Sequence, residues 1–399
     1  MFDSIFIGTS GLIGFSKALR VVSNNLANVN TPGFKGSQLQ FGDYFYAGAG
    51  SAPENFAGGV NYGSTRLGTG LNTLATDINF RAGTVQTTGN DLDLAINGNG
   101  FFVLHDAAGK QKYTRDGSLT FNNGFLIERS SGLRVQGFDV NGKLGDIGLS
   151  SLLNSAPKVT GNVILGNNLP SDSATDVSLS AVQVFDQVGG SHTLTVVLHK
   201  TSAGNFSVTT SDGVTPVGVP GAISFTNGVI NPASSKVNVS YTPAGGTAFT
   251  FVLDFSAVTS NPAGSAASTL AVTSQDGYAA GTLTGVTFDA DGKLKASYSN
   301  AQTVTGATLA LASFDSEQDL RQLGGNLFDT TNPNKVHIGR ANTLSLGSFT
   351  AQAIEGSNVD LAQEFSNLIV MQRGYQASSR VVSTANELIQ ELFDMKGHN

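Results

Sequence analysis

Two heptad-spaced apolar seams, one at each end of a chain of 399 residues, constrain the fold more than any other feature. Leu12, Phe15, Leu19, Val22, Leu26 and Val29 alternate steps of three and four, the a and d spacing of a helix that packs along one narrow stripe. Ile5 lies one heptad before Leu12. Leu361, Phe365, Leu368, Tyr375, Val382, Ile389 and Phe393 hold a second seam, with Gln372, Ser379 and Asn386 in its remaining positions. Beside it runs another stripe, Val381, Ala385, Leu388, Leu392 and Met395, so this end offers apolar contacts to more than one neighbour. A helix over 359–396 would be a rod of roughly 57 Å at the usual rise per residue. Ser357 followed by Asp360 resembles an acidic capping box, and Lys396-Gly397 supplies a cationic last turn and a stop. Gly8, Gly11 and Gly14 each cost ~1 kcal/mol of helix propensity, so the first helix needs a partner. Thr31-Pro32-Gly33 ends it, because the residue before proline is pushed out of the helical region.

Between the seams the pattern switches to strand and turn. Leu92, Leu94 and Ile96 alternate before Asn97-Gly98, which predicts a hairpin returning through Phe101–Leu104. Leu119 and Phe121, Asn123-Gly124 and Leu126 predict another. Phe138-Asp139-Val140-Asn141-Gly142-Lys143-Leu144 is echoed by Phe288-Asp289-Ala290-Asp291-Gly292-Lys293-Leu294, both read as two-residue hairpin loops of one β domain. The segment between the echoes is rich in Val, Thr, Ser and Gly, with short alternating runs at Val182–Phe185, Leu194–Leu198 and Phe249–Phe255. The expected fold is therefore multidomain and mainly β with long terminal α-helices. Residues 1–80 with 350–399 form a discontinuous coiled-coil domain, 81–154 with 286–349 a hairpin-rich β domain, and 155–285 an inserted all-β barrel or sandwich.

Composition excludes several classes of function. Charged residues are 13% of the chain and the net charge is −7, without the Lys and Arg clusters that phosphate neutralisation needs, so nucleic acid is not the expected partner. Cysteine is absent, which removes disulfides, thiolate ligands and cysteine nucleophiles. No uninterrupted apolar run approaches the ~18 residues of a membrane span, so membrane insertion is not expected. The interrupted start of the chain, with Asp3 and polar or glycine residues over 8–11, does not read as a secretory signal.

His105, His192, His199, His337 and His398 are scattered outside any paired ligand spacing, and a G-x-S-x-G elbow is missing. Asp289-Ala290-Asp291-Gly292 has too few acids for a calcium loop and reads as a turn, as does Gly98-Asn99-Gly100. No catalytic, cofactor or metal site is expected. From Thr201 to Ser274 only Asp212, Lys236 and Asp254 are charged, so that surface is solvated by hydroxyls and backbone. Phe41, Tyr44, Phe45 and Tyr46 read as a local core. The polar run Asn24-Asn25-Leu26-Ala27-Asn28 with Thr31-Pro32-Gly33-Phe34-Lys35 is equally a capped helix end or a packing motif between identical chains.

That run, together with Ser357–Phe365 and Gln372-Arg373-Gly374-Tyr375-Gln376-Ala377, resembles the terminal signatures of the bacterial flagellar rod and hook axial proteins. Asp93–Ile96, Gly100–Val103 and Tyr113–Gly117 are similar to their shared core. Val184-Phe185-Asp186, Ser191–Val196, Tyr298-Ser299-Asn300 and Gly325–Phe328 look like hook segments, with Ala301 standing where glycine is expected. The resemblance covers both ends and about half of the middle.

It implies a non-enzymatic structural subunit outside the cell, exported by the flagellar type III apparatus and polymerised in many copies into a flexible curved tube. The implied partners are copies of itself, a distal rod protein, a hook cap protein and a hook–filament junction protein. The expected subunit interface comprises Leu12, Phe15, Leu19, Val22, Asn25, Leu26, Asn28 and Val29 at one end. At the other it comprises Val359, Leu361, Phe365, Leu368, Tyr375, Val382, Leu388 and Leu392. Gly58-Gly59 and Gly68-Thr69-Gly70 are the expected joints. A distal rod subunit, an adhesin-like module and a β-rich hydrolase are the competing readings.

Overall fold

In a computed structural model, residues 2–43, 46–47, 67–68, 70–213, 215–264 and 267–396 are described. Tyr44, Phe45, Gly58-Gly59, Thr69 and Gly397 lie outside them. The chain divides into two compact units, Met1–Leu149 with Thr287–Lys295 and Thr305–Asn399, and Ser150–Val286 with Ala296–Val304.

The first unit carries both helices, α1 (Phe2–Ala27) and α2 (Leu361–Lys396). Asp360, not Ser357, caps α2: its Oδ1 accepts from the backbone N–H of Ala362 at 2.8 Å and Gln363 at 3.2 Å. Asp3–Ala27 has a mean hydropathy of 1.4, long and apolar enough by length and composition to cross a membrane. The run-length reading missed this because serine, threonine and glycine interrupt the run without lowering the average much. A helix packed in the core of a protein passes the same test, and α1 packs along α2.

The β part of this unit centres on Phe101–His105, which pairs with Gln111–Thr114, Arg134–Phe138 and Leu311–Phe314. Arg134–Phe138 also pairs with Thr303–Leu309, at Gly137 with Leu309 and Phe138 with Thr308, so segments before and after the long insert share a sheet. Phe101, Tyr113, Phe328 and their neighbours Phe80 and Phe314 form an aromatic core with ring centroids 4.9–5.7 Å apart. Burial there pushes the Tyr113 hydroxyl up to about 12.

Two turn readings need correction. Leu94–Asn97 does not return through Phe101; it pairs with Ser348–Ala351. Gly98 and Gly100 take φ of +100° and +131°, and their carbonyls are held by the Arg115 guanidinium at 2.9 and 2.6 Å, which spends the would-be hairpin on a side-chain grip. The echoed loops have three residues rather than two: Asp139 N–H bonds the Lys143 carbonyl and Asp289 N–H that of Lys293, with Gly142 and Gly292 left-handed at φ +82° and +73°. The Asn123-Gly124 hairpin is present, with both residues at positive φ.

The second unit is a nearly closed sheet. Val177–Phe185, Ser191–Ser202, Asn205–Asp212 and Thr215–Thr226 run as an antiparallel meander, and Val229–Ile230 leads to Phe249–Thr259. That strand pairs antiparallel with Lys236–Tyr241 and parallel with Asn162–Asn168, whose other side takes Ala271–Gln275. Leu194, Val196 and Leu198, and Phe249, Phe251, Leu253 and Phe255, point inward at every second position, as their alternation requires. Thr160 spans the two ends of the sheet. Its N–H donates to the Phe185 carbonyl (3.0 Å), its hydroxyl accepts from Phe185 N–H (2.8 Å), and the same hydroxyl reaches Gln275 Oε1 (3.4 Å).

Candidate assembly surface

Both chain ends converge on one junction in the first unit. Glu355 is buried beneath it, with Oε1 accepting from Lys35 Nζ at 2.6 Å and from Gly83 N–H at 2.8 Å. Arg115 Nε lies 3.1 Å from Oε2, outside hydrogen-bond geometry, so that contact is coulombic. Lys35 Nζ also donates to the Arg81 carbonyl at 2.8 Å. Burial lowers the pKa of Lys35, with Glu355 opposing, and burial likewise lowers that of Arg115. Because each charge has lost its water, both cations depend on Glu355, which they share while repelling one another.

Amide side chains complete the junction. Asn25 forms a two-way pair with Ser37, its Nδ2 donating to the carbonyl at 2.7 Å and its Oδ1 accepting from N–H at 2.9 Å. Asn25 Nδ2 also reaches Glu364 Oε1 at 3.0 Å. Asn358 accepts from Gly36 N–H and donates to the carbonyls of Asn79 and Arg81. Gly33, at φ +67°, lies against the backbone of Arg115 and Asp116, where a Cβ would sit 2.5 Å from Asp116 N. No other residue type fits there.

From this junction α1 and α2 run antiparallel, since Asn25 meets Glu364, Phe15 meets Gly374 and Gly8 meets Val382. Small residues make the contact: a Cβ on Gly8 would lie 2.6 Å from Val382 Cγ2, one on Gly11 2.6 Å from Ser378 Oγ, and one on Gly374 2.6 Å from the Phe15 ring. Ala18, Val22 and Asn25 on α1 and Ala385 on α2 are buried. Gly14 turns instead toward Leu71 and Phe41. α2 is left with two exposed apolar flanks. Leu361, Phe365, Tyr375 and Phe393 lie along one, and Val370, Val381, Leu388 and Met395, at helical spacings of 11 and 7, along the other.

Three family profiles match these same parts. Residues 5–35 match "Flagella basal body rod protein", 95–181 "Flagellar hook protein FlgE/F/G D1 domain", and 350–395 "Flagellar basal body rod FlgEFG protein C-terminal". The flagellar hook protein FlgE of Escherichia coli K12 is 29% identical over 97% of this chain and 98% of its own. That of Treponema pallidum is 28% identical over 99% and 100%. The chain is thus similar to flagellar hook proteins along nearly all of its length. The Helicobacter pylori hook protein is 45% identical over 31% of this chain and 17% of its own. A solved H. pylori flagellar hook protein FlgE2 aligns with 68% of this chain and 100% of its own at 12% identity and a TM-score of 0.48, too loose a likeness to settle the fold.

The expected interface residues fall into three groups. Val22 and Asn25 are buried within the chain. Leu12, Phe15, Leu19, Leu26, Asn28, Val29, Val359, Leu368 and Val382 are half-buried. Leu361, Phe365, Tyr375, Leu388 and Leu392 are exposed. The stripe of α1 that meets α2 is thus the small-residue one through Gly8, Gly11 and Ala18, displaced from the leucine seam, because glycine lets the two backbones approach closely. Sequence reasoning missed the buried triad. Lys35 and Arg115 stood in recognised motifs, but Glu355 had no signal beyond being an acid in a short apolar strand, and the three are far apart in the chain.

Proposed function

We propose that this chain is a structural subunit of the bacterial flagellar hook, polymerising into a flexible curved tube that carries torque from the rod to the filament. The observation that carries this reading is the pair of apolar flanks on α2, which the chain's own α1 leaves uncovered. Contiguous exposed apolar surface of this kind marks an interaction site, and two flanks on one helix call for two neighbours. The exposed Leu361, Phe365, Tyr375, Leu388 and Leu392, with the half-buried Leu12, Leu19, Leu26 and Val29, are the residues proposed to meet those neighbours.

In the assembled tube, 1–80 with 350–399 line the inner layer, 81–154 with 286–349 the middle, and 155–285 the outer surface. The charge-poor, hydroxyl-rich composition of the insert supports a solvent-facing role. The distal rod protein lies at one end of the tube and the cap and hook–filament junction proteins at the other, on the outside of the cell. Export unfolded through the flagellar type III apparatus is consistent with helices whose apolar faces are satisfied only by neighbours. Electron microscopy of the polymerised chain tests the assignment: a curved sleeve is expected, and a short straight rod would move it to the distal rod subunits.

A further inference from the structure

α1 has a second stripe, on the side turned away from α2. Ile13, Lys17, Arg20, Asn24 and Ala27 follow one another at steps of four and three, and all five are exposed. Gly8, Gly11 and Ala18, on the contact with α2, lie round the helix from them. Beside the stripe a recess of about 270 Å³ opens between α1 and the Leu71–Ile78 strand, with Ser10, Ile13, Lys17, Leu71 and Thr73 in its walls. Lys17 Nζ donates there to the Thr73 hydroxyl at 3.0 Å, a neutral partner that leaves its charge unbalanced.

The second flank of α2 carries the matching chemistry. Val381, Thr384, Leu388, Glu391 and Met395 follow at steps of three and four and are likewise exposed, Met395 by 76% against 54% for Ile13. The charges are segregated between the two stripes. From Ser4 to Ala27, α1 has Lys17 and Arg20 and no acid, whereas from Val381 to Met395, α2 has Glu387, Glu391 and Asp394 and no Lys or Arg. Among the described residues none of Lys17, Arg20, Glu387 and Glu391 is ion-paired.

We infer that the outward stripe of α1 in one copy packs against the second flank of α2 in the next copy, antiparallel and in one register. Read in opposite directions the two spacings coincide, so that Ile13 faces Met395, Lys17 Glu391, Arg20 Leu388, Asn24 Thr384 and Ala27 Val381. The end rungs are apolar, with the flexible Met395 seated in the recess beside Ile13. Lys17 meets Glu391, and Arg20 lays its stem on Leu388 with its guanidinium between Glu387 and Glu391. The contact cannot close within one chain. Residue 15 meets 374 there, which leaves Lys17 level with about residue 372, about nineteen residues or roughly 28 Å from Glu391. Stripe and flank are different surfaces of one copy, so the pairing is heterologous and repeats as an open polymer instead of closing as a dimer. It rests on the reading of the chain as a polymer subunit and names the partner of one of its two flanks.

The absence of cysteine in the native chain gives a direct test. In the full-length chain carrying Ile13→Cys and Met395→Cys, a short bifunctional thiol crosslinker applied to assembled tubes is expected to give a ladder of covalent trimers and longer species. Ile13→Cys with Val381→Cys, about 21 Å out of register, should stop at dimers or below. Tubes of wild-type yield without a ladder, or equal ladders from both pairs, would overturn the inference while leaving the hook-subunit reading intact; a wild-type chain that never polymerises would overturn both.

If the chain with cysteines at 13 and 395 itself fails to assemble, charge reversal decides. Lys17→Glu with Arg20→Glu, and separately Glu387→Lys with Glu391→Lys, should each lower the pelletable polymer about tenfold at low salt, where the charges are least screened. The four substitutions together should recover it to within about threefold of wild type. No recovery would sink the pairing of stripe and flank.

Discussion

Glu355 ties together four stretches that are remote in sequence: Lys35 after α1, the 81–83 loop, Arg115 and its own strand before α2. Removing one partner of a buried ionic group leaves the others uncompensated at a loss of about 3–5 kcal/mol. Glu355→Ala is therefore expected to lower the denaturant midpoint of the first unit by an amount of that order. Glu355→Leu combined with Lys35→Met should recover part of it, and equal stability of wild type and Glu355→Ala would contradict the triad's role.

Ala301, where the family resemblance called for glycine, sits at φ +60°. An L-residue in that region loses roughly 1–2 kcal/mol, of which glycine's extra unfolded-state entropy takes back about 0.5–1. Ala301→Gly should stabilise the second unit by up to about 1 kcal/mol in equilibrium unfolding; a destabilised variant would refute the strain.

Asp106, Asp139, Asp186 and Asp289 each turn a carboxylate oxygen onto the N–H groups two and four residues ahead. In three of them the carboxyl is held below its unfolded value of 3.8, Asp106 mainly by Lys110 N–H, Asp139 mainly by Lys143 N–H, and Asp186 mainly by the His192 ring. Their contribution to stability is present above pH 3.8 and is lost as pH falls through the folded values. Asp116, raised by burial, works the other way: its contribution is present below pH 3.8 and disappears as pH rises through its folded value. Asp106→Asn with Asp139→Asn should lower the denaturant midpoint at pH 7 and flatten its decline between pH 4 and 2, so that variant and wild type converge in acid. An unaltered acid slope would show that these turns do not couple to folding.

At the scale of elements, propensity and packing point in opposite directions in α1. Gly8 and Gly11 weaken an isolated helix, yet they are the places where α2 comes closest. Gly8→Leu improves intrinsic helicity by nearly 1 kcal/mol and at the same time drives a side chain into Val382. Packing should win. The variant is expected to lose helical signal at 222 nm relative to wild type, whereas a gain would mean that α1 does not fold against α2 as seen here.

The same elements mark what sequence reading can reach. Heptad spacing located both helices, because periodicity is a local property, but it selected the leucine stripe, since large apolar residues count in a pattern and glycine does not. Alternation found the strands of the insert for the same local reason. It also found Leu94–Asn97 as a strand but not its partner Ser348–Ala351, which lies about 250 residues away, while Arg115 occupies the carbonyls of the turn that follows. The triad was illegible because long-range ionic pairing leaves no period.

For the whole molecule, the question is which parts can fold without neighbours. The second unit has its own closed-in core, with Val163, Leu165, Leu194, Val196 and Phe255 almost fully shielded from solvent. The β part of the first unit has its aromatic core and the triad beneath the junction. α2 has neither: most of its apolar residues face outward, and its intramolecular partner is one helix made of small residues along the contact. The helices are therefore the part of the first unit with the least burial to offset their ordering entropy.

A cut after residue 30 separates these contributions, because it removes α1 while sparing Gly33, Lys35 and Gly36, which hold the junction to Arg115, Glu355 and Asn358. The truncated chain is expected to remain a folded β protein, with strand signal in the far ultraviolet and a cooperative transition. It should form no tubes under conditions where the full chain does, and should lose the helical signal of α2 as well as that of α1. Tubes from the truncated chain would show that α2 finds its neighbours without α1, and collapse of the β signal would show that α1 is needed for folding before it is needed for assembly.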